Sequence, residues 1–322
     1  MSENFVDSIW PVEGNKRPIW SVMIPTYNSN EWLADTINSI LKQDLGPEIM
    51  QIEVVDDASP KDDTKTFVKE IAGERIQCYV QPQNLGLVGN FTDCIKRARG
   101  YYVHILHGDD LVEDGFYIKN QAIFESNSEI GAVISRTKYI NGDGSFRTMG
   151  PALQPFSGLA KIFKERYFSG FGVNTPAVTV RREVYEKVGG FDKRIANLGE
   201  DREMWSRISR WFEIGYQHEP LAVYRIHEAA LTKKIQDDGS VLKDLIKSNE
   251  IVAEHFKGTE FEYLFDLKRE KIARNAQISA AKALKSGNFN AFHVYSMESF
   301  RYYRSLKQVY WLSRALIDKS YK

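Results

Sequence analysis

The stretch HILHGDDLVEDGF, His104 to Phe116, decides how this chain is read. Its apolar residues Ile105 and Leu106, with Val103 just before, run at once into two adjacent carboxylates, Asp109 and Asp110. Like charges side by side where a buried strand ends repel each other and are costly to desolvate. They are tolerated where something cationic or hydrogen-bonding is held beside them.

Working outward, the first 135 residues alternate between short apolar runs and longer amphipathic ones. Ile19 to Ile24 reads as a strand stopped by Pro25. Behind Ser29 and Asn30, the residues Trp32, Leu33, Thr36, Ile37, Ile40 and Leu41 recur at helical spacing. Ile52 to Val55 is a second strand, Asp63 to Ala72 a second helix and Ile76 to Val80 a third strand. Gly89 to Ala98 is a third helix, with Gly100 placed to end it. Tyr101 to Leu106 is a fourth strand, Asp114 to Phe124 a fourth helix and Gly131 to Ser135 a fifth strand. Such alternation predicts an α/β fold: a mainly parallel sheet with helices on both faces. Ligands bind such sheets beyond the carboxyl ends of the strands. The polar groups gather there: Pro25-Thr26-Tyr27-Asn28, Asp56-Asp57-Ala58-Ser59, Gln83-Asn84-Leu85-Gly86 and His107-Gly108-Asp109-Asp110 follow four successive strands.

The middle of the chain, 136–232, is less regular, with turn signals at Asn141-Gly142-Asp143-Gly144 and Gly189-Gly190 and a helix from Glu200 to Trp211. The last ninety residues read as helical, with breaks at Gly239, Gly258 and Gly287. Four segments are expected: an N-terminal arm (1–18), the alternating strand-helix half (19–135), the less regular half (136–232) and a C-terminal helical extension (233–322).

Composition narrows the function. The 322 residues carry 43 basic and 43 acidic side chains, a formal net charge of zero, which gives no electrostatic reason to expect a nucleic-acid partner. Two cysteines without a C-x-x-C pattern argue against a disulfide framework or a zinc site. No signal peptide and no run of eighteen apolar residues is apparent, so a cytoplasmic location is the expectation, with peripheral contact at the inner membrane face open.

Seven pieces now stand in order: SVMIPTYN, EVVDDAS, QNLGLVGNF, ARGYYVHILHGDD, GGFD, GEDREMWSRI and YRIHEAALT. Over roughly residues 19–232 this order resembles family 2 glycosyltransferases of the GT-A fold. The resemblance implies a GT-A type nucleotide-binding sheet and an inverting transfer from a nucleotide sugar, UDP- or dTDP-linked, to a hydroxyl of a saccharide or lipid-linked acceptor. Polysaccharide or glycan biosynthesis is the setting it implies. It also implies roles, with 19–135 the nucleotide-sugar-binding half and 136–232 the acceptor-binding half with the catalytic base. Asp57 holds the base or ribose of the donor, with Pro25 and Tyr27 lining the same pocket. Asn84 and Gly86 lie against the nucleotide. Asp109, with Asp110 beside it, carries Mn²⁺ or Mg²⁺, since hard oxygen ligands suit either ion. His227 reaches metal or diphosphate, and Arg225 supports the phosphates. Asp201 is the general base.

The chain departs from the family at two places. His107 stands where the family has the first aspartate of its metal motif, and Val88-Gly89-Asn90 replaces a basic residue after the third strand. The irregular metal position keeps a second reading alive, a non-catalytic sugar-nucleotide-binding subunit of a glycan assembly complex. A dinucleotide-dependent oxidoreductase would need G-x-G-x-x-G after the first strand, where Pro-Thr-Tyr-Asn stands instead. A pyrophosphorylase would need a Gly-rich phosphate loop at the same point. Arg207 to Trp211 loosely resembles the Q-x-x-R-W signature of processive synthases, but lacks the glutamine; Trp211 is read as core. Tyr167, Phe168 and Phe171 flank Asn174, with at least two of the three rings expected in the core. The segment FRYYRSLKQVYWLSRALIDKSYK at the end suits an amphipathic helix, either at a membrane surface or packed on the protein or a second copy.

Overall fold

β1 (Trp20–Thr26) lies between β2 (Met50–Asp56) and β4 (Tyr102–Ile105), parallel to both, and β3 (Gln77–Val80) continues the parallel run beyond β2. All seven residues of β1 are buried, so its sequence reads as a continuous apolar run rather than an alternating one. The computed structural model describes residues 5–14, 16–195, 198–228 and 240–318.

Helices cover the two faces. α1 (Asn30–Leu41), α2 (Thr64–Ala72) and α4 (Phe116–Ser126) bury Leu33, Ile37, Ile40, Val68, Phe116 and Phe124 on one side. On the other, α3 (Gly86–Arg97) buries Phe91, Cys94 and Ile95. The two-residue strand β5 (Leu111–Val112) follows β4 and pairs at the far edge of the sheet.

β6 (Ile130–Asn141) and β10 (Glu213–Ile226) are the longest strands, parallel to each other, and β9 (Val178–Arg181) lies antiparallel between β4 and β6. β7 (Phe146–Met149) adds to β6 and β8 (Gly158–Leu159) to β10, so one ten-stranded sheet runs from residue 20 to residue 226. Short α5 (Phe163–Phe168) and α6 (Arg182–Val188) precede α7 (Glu200–Trp211), which has the bounds expected from sequence.

Among the described residues the extension holds four helices: α8 (Ser240–Phe256), α9 (Tyr263–Lys285), α10 (Phe289–Tyr302) and α11 (Lys307–Ile317). Val252, Phe256, Leu264 and Phe265 join the main core, so α8 and α9 pack as part of the sheet-containing body. α10 and α11 pack on α9, where Gln277 Nε2 donates to Gln308 Oε1 at 2.8 Å in a buried setting. Leu306, Val309, Tyr310 and Ile317 are exposed on the outer side.

Several expectations need correction. Pro25 does not stop β1, which runs on to Thr26. The carbonyls of Met23 and Pro25 face β4, accepting from Leu106 and Gly108. The N–H that proline lacks would point the same way, beyond the last residue of β4, where no ladder bond is lost. Gly100 is not a left-handed helix cap. A Cβ there would lie 2.5 Å from Ser21 N and Trp20 C, so the position is glycine because two backbones touch. α3 begins three residues earlier than expected, and the fifth strand is twelve residues long rather than five. The expected terminal helix is two helices, broken between Tyr302 and Lys307. Trp211 is not core: it is 58% exposed, with Arg210 and Lys187 cations over its ring. Tyr167 and Phe168 are buried as expected. Gly258 and Gly287 do break the helices, each at positive φ, whereas Gly239 lies outside the described residues.

Candidate active site

The rim is built by the loops that leave β1, β2, β3 and β4, and backbone bonds lock these loops together. Asp57 N–H donates to Thr26 O at 2.9 Å, Gln81 N–H to Asp56 O at 2.8 Å and Gly108 N–H to Pro25 O at 3.2 Å. Asn28 and Ala58 both take positive φ, which turns each loop sharply as its strand ends. Asp56 organises its own turn, accepting from Ser59 N at 3.0 Å and Thr64 Oγ1 at 3.1 Å, as an Asx turn does.

Asp57 is buried and reaches across to the next loop. One carboxylate oxygen accepts from Leu85 N at 2.7 Å and the other from Gly86 N at 3.0 Å, while Asn84 Nδ2 donates to Asp57 O at 3.0 Å. Burial raises its pKa and the two amides oppose that rise. Gly86 has φ +73 and starts α3. At the end of β1, Tyr27 is exposed and Pro25 is buried.

The turn after β4 holds His107, Asp109 and Asp110, each offering one ligand atom, all within 4.8 Å of one another. His107 Nδ1 is 3.4 Å from Asp110 Oδ2 and its ring stacks on Phe91 at 5.1 Å. Apart from that ion pair, Asp110 Oδ2 and His107 Nε2 are buried with no hydrogen-bond partner among the described residues. Burial and its neighbour Asp109 push the Asp110 carboxyl up to about 6. Burial also acts upward on Asp109, but the imidazoles of His227 and His107 outweigh it and hold Asp109 below its usual range. For His107, burial acts downward and the Asp110 and Asp109 carboxylates prevail, raising it. Two carboxylates, an imidazole and buried lone pairs left over fit a hard divalent cation.

β10 closes the site from the far side. Arg225 N–H donates to Asp110 Oδ1 at 2.8 Å, and its guanidinium reaches Asp109 O at 3.0 Å, Gly142 O at 2.9 Å and Asp35 Oδ2 at 2.8 Å. His227 Nε2 is 3.0 Å from Asp109 Oδ2. Asp35 and Trp32, both on α1, were not singled out from sequence. Their only signal was helical spacing, which says which face is buried and not what a polar neighbour holds.

α7 brings the remaining carboxylates. Gly199, with φ +93, precedes it, and a Cβ there would meet Ser248 Cβ at 2.9 Å. Ser248 Oγ donates to Gly199 O at 2.8 Å, so α8 pins the start of α7. Asp201 is raised by burial, opposed by the Arg202 amide. Burial and Asp201 push Glu200 up to about 8. Both feel the charge of His107. Glu203, one turn on, is fully buried and accepts from Arg207 at 2.7 and 2.8 Å and from His255 Nε2 at 3.1 Å. Arg207 also donates to the carbonyls of Val188 and Gly190, which makes it a structural grip on the GGFD segment.

The family model described as glycosyl transferase family 2 matches residues 21–189, just over half of the chain. The chain belongs to glycosyl transferase family 2, and it is a glycosyltransferase. Among relatives, an uncharacterized glycosyltransferase of Rickettsia typhi is 24% identical over 92% of this chain and 97% of its own length. The minor teichoic acid biosynthesis protein GgaB of Bacillus subtilis is 26% identical over 77% of this chain, which spans 26% of GgaB. Among solved structures, residues 1–349 of Staphylococcus aureus TarS in complex with UDP-GlcNAc superpose with TM-score 0.61 at 17% identity, over 92% of this chain and 79% of that one. The mannosyltransferase PcManGT of Pyrobaculum calidifontis, in complex with GDP-Man and Mn²⁺, gives TM-score 0.57 at 16% identity over 97% and 84%. At such identities the likeness speaks for the fold, a mixed α/β sheet flanked by helices and followed by C-terminal helices. Among the described residues no helix is long and apolar enough to cross a membrane.

Proposed function

We propose that this glycosyltransferase is metal-dependent and inverting, moving a sugar from a UDP- or dTDP-linked donor to a hydroxyl of a saccharide or lipid-linked acceptor. Its setting is cell-surface polysaccharide synthesis at the inner face of the membrane. The observation that carries the reading is the group of half-buried His107 and Asp109 with buried Asp110, its ligand atoms within 4.8 Å, on the same rim as the Asp57 loop and within electrostatic reach of Asp201. The relatives support it, with UDP-GlcNAc bound in one structure, Mn²⁺ in another and teichoic acid in the name of a third protein.

His107, Asp109 and Asp110 would hold a divalent cation, with His227 steadying Asp109. Bound there, the cation offsets the charge that grows on the leaving diphosphate. Asp57 fixes the Leu85–Gly86 backbone against which the nucleotide lies, and Tyr27 presents an exposed ring face to the base. Arg225 holds the Asp109–Asp110 turn in register through its backbone and guanidinium bonds. Asp201 takes the proton of the acceptor hydroxyl as its oxygen bonds to the anomeric carbon. The opposite bond, to the diphosphate oxygen, breaks with its electron pair, which inverts the configuration. A carboxyl raised toward neutrality is the better proton acceptor for this step.

The test is a thermal-shift panel of sugar nucleotides with and without Mn²⁺. A ligand that binds only the native state raises the melting temperature with its affinity and concentration. A uridine or thymidine sugar nucleotide should give the largest shift, and only with Mn²⁺ or Mg²⁺. A metal-independent shift, or preference for a purine nucleotide, removes the reading.

A further inference from the structure

We infer that Arg202, Lys268 and Lys271 form a cationic subsite beside the Glu200–Asp201 pair that binds phosphoryl groups of an anionic acceptor. The inference deepens the proposed function and rests on Asp201 marking the acceptor side.

Arg202 directly follows Asp201 in α7, and its guanidinium turns toward the C-terminal helices, donating to Asn249 Oδ1 on α8 at 3.3 Å. Lys271 on α9 reaches the loop after α5, where its Nζ donates to Ser169 O at 3.0 Å. Lys268 lies one helical turn before Lys271, on the same face of α9. It is half-buried, and among the described residues it makes no hydrogen bond or ion pair.

Lys268 lies within electrostatic reach of both Arg202 and Lys271, and among the described residues no carboxylate forms a side-chain ion pair with any of the three. Arg202 feels the charge of Asp201, the assigned base, and the other acidic groups nearby are committed elsewhere. Glu250 is held by Arg269 at 2.8 and 3.0 Å, Glu203 by Arg207 and His255, and Glu270 by Lys307 and Tyr303. Burial, Arg202 and Lys271 together push the Lys268 ammonium down to about 7. A half-buried ammonium without a partner is unfavourable by itself, and an anion placed among the three would relieve it.

The ligand belongs to the acceptor and not to the donor. The contacts of Arg202 and Lys271 run to α8 and the loop after α5, none to the rim loops where the nucleotide is assigned. That loop, Ser169 to Gly172, carries two glycines. Gly170 has φ +112, and a Cβ there would meet Lys271 Nζ at 2.5 Å, while Gly172 faces open space. The backbone thus runs close under Lys271 and leaves room beside it. Tyr167 ties the two parts together by donating its hydroxyl to Arg202 O at 3.4 Å. The chemistry wanted is a phosphodiester or phosphomonoester oxygen, which an arginine fork and two ammonium groups recognise without regard to the rest of the acceptor.

The experiment uses the full chain and two phosphorylated probes, a short glycerol-phosphate oligomer and phosphatidylcholine vesicles carrying polyprenyl phosphate. A phosphate-free polyol and plain vesicles are the matched controls. We expect binding to at least one phosphorylated probe, weakened by high salt and reduced at least about ten-fold in the Lys268→Ala/Lys271→Ala double variant. Lys268→Arg should retain it, and which probe binds tells a soluble polymer from a lipid carrier. Lys271→Ala alone, at an exposed position, should give a partial loss and guards against a folding defect. The shift of the double variant by UDP with Mn²⁺ should equal the parent's, because the donor side is untouched. Binding of neither phosphorylated probe, or equal binding by parent and double variant, overturns the inference whatever UDP does. Loss of the UDP shift in the parent counts against the donor reading alone.

Discussion

His227 Nε2 lies 3.0 Å from Asp109 Oδ2, and the same imidazole lies tilted against Trp32 with ring centroids 3.8 Å apart. One side chain at the end of β10 thereby ties the turn after β4 to α1. An imidazole fixed on one face by an indole and on its edge by a carboxylate sets where that carboxylate points. Replacing His227 with alanine should weaken Mn²⁺ binding by about 10–100-fold, the usual effect of removing such a support. Asp109→Asn should weaken it further. Isothermal titration with the metal alone measures both, and an unchanged affinity in the His227 variant would detach it from the cation site.

Asp201→Asn keeps the shape of the side chain and removes its ability to take a proton. Transfer should fall by about 10²–10⁴-fold in kcat, the range that a general base supplies. The sugar-nucleotide thermal shift should stay at the parent value, since Asp201 is assigned no part in donor binding. A variant that still turns over near the parent rate would hand the role to Glu200, the neighbour pushed up to about 8 by burial and Asp201.

Asp57→Ala leaves the amide of Leu85 without its acceptor and that of Gly86 with Asn84 Oδ1 alone. The unmet bonds should lower stability by about 1–3 kcal/mol and loosen the start of α3. Donor affinity should drop as well, because the loop that faces the nucleotide is no longer fixed. Hydrogen exchange at Leu85 and Gly86, read beside donor titration, separates the two effects. Protected amides with lost donor affinity would mean that Asp57 acts on the nucleotide only directly.

The parallel half of the sheet was legible because strands buried on both faces and helices buried on one differ in period. β1 to β4 and their three helices alternate at those periods, and Asp57, Asp109 and Asp110 stand where strands end. β6 and β10 were harder to read. β10 carries Glu213, His218, Glu219 and Pro220 in its run, and its register slips between Gln217 and Ala222. A bulged strand with polar interruptions has no clean period. In the site, sequence order marked which residues matter without saying what they touch. The guanidinium of Arg225 meets Asp109 O, Gly142 O and Asp35, partners that come from three distant segments. No local pattern encodes such a meeting. The Arg202, Lys268 and Lys271 cluster was invisible for the same reason, since 66 positions separate Arg202 from Lys268 (268 − 202).

His104 gives a pH dependence that needs neither donor nor metal. It is fully buried in β4, and its Nε2–H donates to Pro176 O at 2.9 Å, because a carbonyl only accepts. Nδ1 then accepts from the Tyr117 hydroxyl at 3.3 Å, so the ring is neutral. Burial pushes its pKa from 6.5 down to about 4. A depressed histidine binds its proton later in the native state than in the unfolded one. Its stabilisation is therefore complete above pH ~6.5 and declines as pH falls toward about 4. Each tenfold change in proton affinity corresponds to about 1.4 kcal/mol, which makes the loss on the order of 3 kcal/mol. His104→Gln can keep the bond to Pro176 O and cannot titrate. Urea midpoints between pH 7.5 and 4.5 should fall more steeply for the parent than for this variant. Parallel slopes would mean that His104 titrates alike in the folded and unfolded chains, and that the anchor between β4 and Pro176 is not held by a neutral ring.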